Sequence, residues 1–178
     1  MEKKNNKFKH LNTILMYVTI ICLLLSVVMY FFPFVVHKDN FSKVVTTFSG
    51  YDFTNALFSQ EQSTKIFALQ SLFASQKTGL PAKVIAYLSP ICCVYSIVVV
   101  GLTLASKYKK SLNNIFVLGG FFAIWIVMAL SVVTLVGSMA VTRGDVTLNN
   151  YHIGFASMLG CGFAIVASVI NIVKSLKE

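Results

Sequence analysis

Residues 11–36, LNTILMYVTIICLLLSVVMYFFPFVV, run 26 positions without a charge, with Asn12 and Thr13 the only strongly polar intrusions near the start. A bilayer core needs roughly 20 apolar residues in a helix, so this segment is long enough to cross with some tilt. The preceding MEKKNNKFKH carries four lysines, as the n-region of a signal peptide does. The apolar run is nevertheless about twice the usual h-region, and no small-x-small cleavage site follows. It reads as a retained first membrane helix. Three more apolar runs follow at 84–106, 115–141 and 151–173, each bounded by polar residues. The expected fold is therefore an all-α integral membrane protein: a four-helix transmembrane bundle in one domain over residues 1–178. An outer loop would occupy 37–83, an inner loop 107–114 and a short outer loop 142–150.

Composition points the same way. Hydrophobic residues make up 56% of the chain and charged residues 12%, with a mean hydropathy of +0.76; a soluble domain carries about 25% charge. The net charge of +9 would suggest nucleic acid in a soluble chain, but here it is a matter of which side each charge occupies. With four spans, one side holds Lys3, Lys4, Lys7, Lys9, Lys107, Lys109, Lys110, Lys174 and Lys177 against Glu2 and Glu178. The other holds Lys38, Lys43, Lys65, Lys77, Lys83 and Arg143 against Asp39, Asp52, Glu61 and Asp145. Lys and Arg are retained in the cytoplasm, and short loops weigh most, so the compact Lys107-Tyr108-Lys109-Lys110 turn assigns that side to the cytoplasm. A multi-pass plasma membrane protein with both termini cytoplasmic is expected. The lysines then serve topology and lipid headgroup contact.

The outer loop is the one sizeable region outside the membrane. Phe41-Ser-Lys-Val-Val-Thr-Thr-Phe48 is rich in β-branched and aromatic residues and ends at Ser49-Gly50, the pattern of a short strand entering a turn. Asp52 or Thr54 could cap a short helical turn through Asn55, Ala56, Leu57 and Phe58. Over 61–76 the period becomes helical: Ile66, Leu69 and Phe73 fall on one face, widened by Phe67 and Leu72, while Lys65, Gln70 and Gln76 stay polar. That face either packs on the chain's own loop or docks a partner chain or lipid.

No Asp, Glu, Lys or Arg lies inside any of the four apolar runs. Pumps, proton relays and ion-coupled carriers need intramembrane ionisable groups, so these classes are disfavoured, whereas a passive pore made of several copies is not. His37 and His152 both fall near the outer surface, where two histidines could bind a metal or sense pH, but interfacial histidines are the commoner case. Span four carries Ala156, Gly160, Ala164 and Ser168 at four-residue spacing, with Cys161 and Gly162 alongside; span three has Gly119 and Ala123, with Gly120 adjacent. Small residues let helices approach closely in lipid, so these faces form either the bundle's internal seam or a surface for a second protein. Pro33 and Pro90 are expected to kink spans one and two.

Cys22, Cys92, Cys93 and Cys161 all lie within spans, and the outer loops carry none. No disulfide framework supports the loop, and no CxxC suits a disulfide-to-quinone electron carrier. Nor is there a GxSxG, HExxH or phosphate-binding loop. Asp52 and Glu61 could pair as carboxylates, but neither has an orienting histidine close by in sequence. No enzyme, cofactor or metal is expected, and nucleic acid is excluded as a partner.

Four spans, both ends inside, a long first outer loop opening on strand-like residues, a tight basic inner turn and a short second outer loop resemble the claudin and peripheral myelin protein group of tetraspan proteins. Those proteins carry a Trp, Gly-Leu-Trp and paired-Cys signature in the first outer loop. Here that loop has neither Trp nor Cys, so the resemblance is one of topology and brings no functional residues with it. The abundance of Asn, Lys, Phe and Ile is that of an AT-rich genome, as in many Gram-positive bacteria. Two functions of different class follow. One is an accessory, scaffold or immunity-type subunit that binds another integral membrane protein through the outer-loop face and the small-residue faces. The alternative is a homo-oligomeric passive pore or small transporter, with Ser26, Ser96, Thr134 and Asn171 lining a path between copies.

Overall fold

The computed structural model describes residues 2–39, 43–59, 63–106, 114–142 and 149–175. Most of these are helical. The order is α1 (Glu2–Met29), β1 (Pro33–Asp39), β2 (Val45–Ser49), α2 (Gly50–Phe58), α3 (Thr64–Ala74), α4 (Gly79–Ser106), α5 (Asn114–Thr142), β3 (Asn149–Ile153) and α6 (Phe155–Ser175). Three segments, His10–Met29, Gly79–Ala105 and Gly119–Met139, are long and apolar enough to cross a membrane; α6 carries a shorter apolar stretch, Phe155–Ile170.

The four longest helices close into a ring: α1 packs on α6, α6 on α5, α5 on α4 and α4 on α1. On α5 the buried positions are Phe121, Trp125, Met128, Val132, Leu135 and Met139. They recur every three or four residues and so form one inward stripe. Periodicity of hydrophobicity could not reveal this stripe, because the opposite face, with Val127, Leu130 and Val133, is exposed and equally apolar. The same holds for α1, where Leu23 is buried while Ile14, Ile21 and Val28 face outward. A helix apolar on all sides, packed on one face only, is what a lipid solvent selects.

Buried hydroxyls among the described residues of the bundle are satisfied locally. Ser26 donates to the Cys22 carbonyl at 3.0 Å, Ser96 to Cys92 at 2.6 Å and Thr103 to Val99 at 2.7 Å. Each bonds one turn back on its own helix, the usual arrangement where no other acceptor is in reach.

The strands correct the expected boundaries. Span one was expected to continue to Val36, but α1 stops at Met29 and Pro33 opens β1. The cause is Pro33, which cannot donate a helix hydrogen bond and drives the residue before it towards extended conformation. The chain tightens first, with Tyr30, Phe31 and Phe32 N–H groups donating three residues back to Val27, Val28 and Met29. Pro33 thus ends a helix instead of kinking one. The helix expected from Tyr151 likewise starts only at Phe155, because Tyr151, His152 and Ile153 belong to β3. The all-α expectation gains a three-stranded antiparallel sheet ordered β2-β1-β3. The strand expected over 41–48 is found at Val45–Ser49, while Phe41 and Ser42 lie outside the described residues. The helix expected over 61–76 is Thr64–Ala74, and Glu61 also lies outside the described residues. So do the basic turn at 107–113 and Arg143.

Candidate functional site

The sheet, α2 and α3 form a cap at one end of the bundle, the end where α1 finishes and α4 and α6 begin. β1 is central, with Val35 opposite both Phe48 of β2 and Ile153 of β3. Because side chains alternate along a strand, Val35, Phe48, Tyr151 and Ile153 share the inner face, and they pack with the bundle core. Val36, Lys38, Val45, Thr47 and His152 share the outer face, where Lys38, Val45, Thr47 and His152 are exposed. One residue must be glycine for this corner to form. A Cβ at Gly154 would stand 2.1 Å from the Pro33 carbonyl oxygen, while the Gly154 N–H donates to the Phe34 carbonyl at 2.7 Å.

The two histidines do not converge. His37 lies opposite Tyr151 and stacks on its ring with centroids 4.4 Å apart. His152 lies opposite Val36 and so points from the other face of the sheet. Among the described residues no three His, Cys, Asp or Glu side chains gather where a metal ion could be held.

Asp52 is the N3 residue of α2 and not its N-cap, and Glu61, the suggested carboxylate partner, lies outside the described residues. Ser49 is the N-cap: its hydroxyl accepts from the Asp52 N–H at 3.1 Å, and the Asp52 carboxylate accepts from the Ser49 N–H at 2.7 Å. This is a reciprocal capping box. The same carboxylate oxygen meets Lys65 Nζ of α3 at 2.8 Å, so one aspartate fixes the start of α2 and ties α3 to it. Lys65 also lies 6.0 Å from the Phe48 ring centroid.

A second tie joins the cap to the bundle. Pro90 sits inside α4 and has no N–H to offer the Ala86 carbonyl one turn earlier. Thr54 of α2 fills that place, donating from Oγ1 to the Ala86 carbonyl at 3.1 Å while sharing the proton with the Gly50 carbonyl at 3.0 Å. The Tyr51 N–H donates to the Tyr30 carbonyl at 3.1 Å and holds α2 against the end of α1.

The face of α3, read as packing on the chain's own loop or docking a partner, is mostly occupied by the protein itself. Ile66 and Leu69 are buried core residues, and Leu72 and Phe73 pack against the core. Only Phe67, 72% exposed, points away. The small-residue faces separate in the same manner. Ala156, Gly160 and Ala164 are buried inside the bundle, and Ser168 is half-buried. A Cβ on Gly160 would come within 2.0 Å of the Trp125 ring, so this glycine exists to admit the indole. The Trp125 ring nitrogen is buried there with no hydrogen-bond partner. Gly119 and Ala123, by contrast, are exposed on the outward side of α5, and nothing lies within 4 Å of a Cβ placed on Gly119.

The hydroxyls suggested for a path between copies do not share a surface. Ser26 and Ser96 are buried in the bundle, whereas Thr134 is exposed outside it and bonds the Leu130 carbonyl at 2.8 Å. The Asn171 side chain lies outside the described ones. All four cysteines are free thiols, Cys22 and Cys92 buried, Cys93 and Cys161 half-buried. No protein-family model, curated protein or solved structure matches this chain.

Proposed function

We infer that this chain is a non-enzymatic, four-span membrane protein, both termini cytoplasmic and the cap outside, that acts as an accessory or scaffold subunit for another integral membrane protein. What carries this reading is the unequal use of the cap sheet. Its inner face is spent on the chain's own core. Its outer face, with Lys38, Val45, Thr47 and His152, is exposed on a sheet whose edge strands are β2 and β3. An exposed edge strand is a ready pairing surface for another chain. Gly119 and Ala123 supply a second, lipid-facing place where a partner helix could approach α5 closely. Immunity-type protection, in which the cap covers a partner outside the cell, fits the same surface. The topological likeness to the claudin and peripheral myelin protein group belongs here too, as does a Gram-positive plasma membrane.

The test is extraction of the tagged protein from its native membrane in mild detergent, followed by sizing of the complex and identification of its chains. The expected result is a stoichiometric second membrane protein that is lost from Val45→Asp/Thr47→Asp or from Gly119→Leu/Ala123→Leu, variants that leave the buried core untouched. A homogeneous assembly of this chain alone would overturn the reading, and ion or solute flux in liposomes would then be measured for the passive pore.

A further inference from the structure

A chain of aromatic side chains runs around the junction of cap and bundle. Phe155 at the start of α6 meets Phe32, with ring centroids 5.6 Å apart; Phe31 meets Tyr51 of α2 at 6.1 Å; Phe58 of α2 meets Tyr87 of α4 at 6.1 Å. Despite touching one another, these six residues remain 42–67% exposed. Aromatic rings inside a fold bury their faces, and large ones left open in a connected band need a partner.

Their position along the helices names that partner. From Tyr87 to the end of α4 at Ser106 the helix rises roughly 28 Å at about 1.5 Å per residue. His10–Met29, a 20-residue segment, covers nearly the same height and ends one turn short of Phe32. Both heights match the roughly 30 Å hydrocarbon core of a bilayer. Toward the bundle from the band, most large exposed residues are aliphatic, such as Ile21, Val28, Val94 and Val169, with Tyr17 and Thr134 also exposed among them. Toward the cap, Lys83 of α4 is exposed one turn beyond Tyr87, and Lys38 and His152 are exposed on the sheet, among exposed apolar residues such as Val45, Phe67 and Leu80. The band therefore lies where exposed charged residues begin on the cap side, the level at which amphipathic rings gather in membrane proteins.

We propose that this aromatic collar seats the protein in the outer leaflet at the level of the lipid glycerol and headgroup region, with α2 lying in that region and its Tyr51 and Phe58 in direct contact with lipid. The proposal rests on the four-span reading. It makes the lipid surface, and not a protein, the occupant of the collar, and it leaves the outer sheet face above the membrane for a partner.

Single tryptophans test it. Tyr51→Trp, Phe58→Trp, Ile21→Trp and Thr47→Trp are each reconstituted in phosphatidylcholine vesicles brominated either close to the headgroup or close to the chain ends. Trp125 emission is measured in the unsubstituted protein and subtracted. The expected result is that Tyr51→Trp and Phe58→Trp are quenched at least twofold more by shallow than by deep bromines. Ile21→Trp should be quenched more by deep bromines, and Thr47→Trp by neither. Absence of quenching at both collar positions, with Ile21→Trp quenched, would overturn the collar and leave the membrane reading standing. Stronger quenching of the collar by deep bromines would also overturn it, since the boundary would then lie higher on the cap. An unquenched Ile21→Trp would overturn the four-span reading itself, and the collar with it. Two independent aromatic replacements keep the result readable if one variant fails to fold.

Discussion

The hydrogen bond from Thr54 to the Ala86 carbonyl makes a quantitative demand. Thr54→Val keeps the shape of the side chain and removes its donor. The Ala86 carbonyl, on a fully buried residue, then has neither the hydroxyl nor a backbone N–H from Pro90. Leaving a buried acceptor unsatisfied costs about 1–3 kcal/mol. In a Pro90→Ala background the new N–H at position 90 can serve Ala86 as in any other helical turn, so Thr54→Val should cost only a few tenths of a kcal/mol. The cycle therefore has a coupling energy of about 1–3 kcal/mol, large for a pair this far apart in sequence. Native-state hydrogen exchange of the α2 amides in detergent reads it directly. Thr54→Val should speed their exchange by roughly 5- to 150-fold in the wild type, and by less than about threefold beside Pro90→Ala. Equal acceleration in both backgrounds would show that the hydroxyl does not substitute for the missing proline donor, and the tie between cap and bundle would have to be sought elsewhere.

Other substitutions have definite expected outcomes. Gly160→Ala forces a methyl into the Trp125 ring and should lower stability by about 1–3 kcal/mol, seen as a lower melting temperature in detergent. Trp125→Phe in the same chain should recover part of that loss. Asp52→Ala removes the capping-box acceptor and should cost about 1 kcal/mol or more, whereas Lys65→Ala breaks only a partly exposed ion pair and should cost less than about 1 kcal/mol; denaturation midpoints of the two variants rank them. Gly154→Ala drives a Cβ into backbone, which cannot yield as a side chain tip can, and should abolish the β1–β3 pairing, visible as loss of protection at the backbone amide of position 154. Ile66→Asp should behave as a core lesion and lower the yield of folded protein, while Phe67→Asp, on the exposed side of the same helix, should leave the stability within about 0.5 kcal/mol of the parent's.

The helices were legible because lipid imposes length and apolarity on a segment regardless of its neighbours, which is why 84–106 and 115–141 agree closely with α4 and α5. Of the sheet, only β2 was legible, read as a strand over 41–48, because β1 and β3 are each hidden in a stronger signal. Phe34, Val35 and Val36 continue the apolar run of α1, and Tyr151, His152 and Ile153 open that of α6, so hydropathy assigns both to membrane spans. Pro33 was the available clue, since a proline followed by an aromatic and two β-branched residues, Phe34, Val35 and Val36, favours a strand over a helix end. The period of α3 was readable, but period alone does not say whether the apolar face meets self or partner. Pro90 likewise announces a carbonyl at Ala86 in need of a donor, yet among many Ser and Thr residues only the fold selects Thr54. The small-residue ladders look alike in sequence, and three-dimensional packing separates the Gly160 face, filled by Trp125, from the open Gly119 face.

Everything assigned to the cap depends on the side of the membrane it occupies, and impermeant thiol labelling of intact cells decides this. Thr47→Cys lies on the exposed outer face of the sheet, and the native cysteines all lie within the bundle. Thr47→Cys should react in intact cells, and Lys177→Cys only after the membrane is opened. Labelling of Lys177→Cys in intact cells, with Thr47→Cys protected until lysis, would invert the topology and remove the external platform on which the proposed function stands.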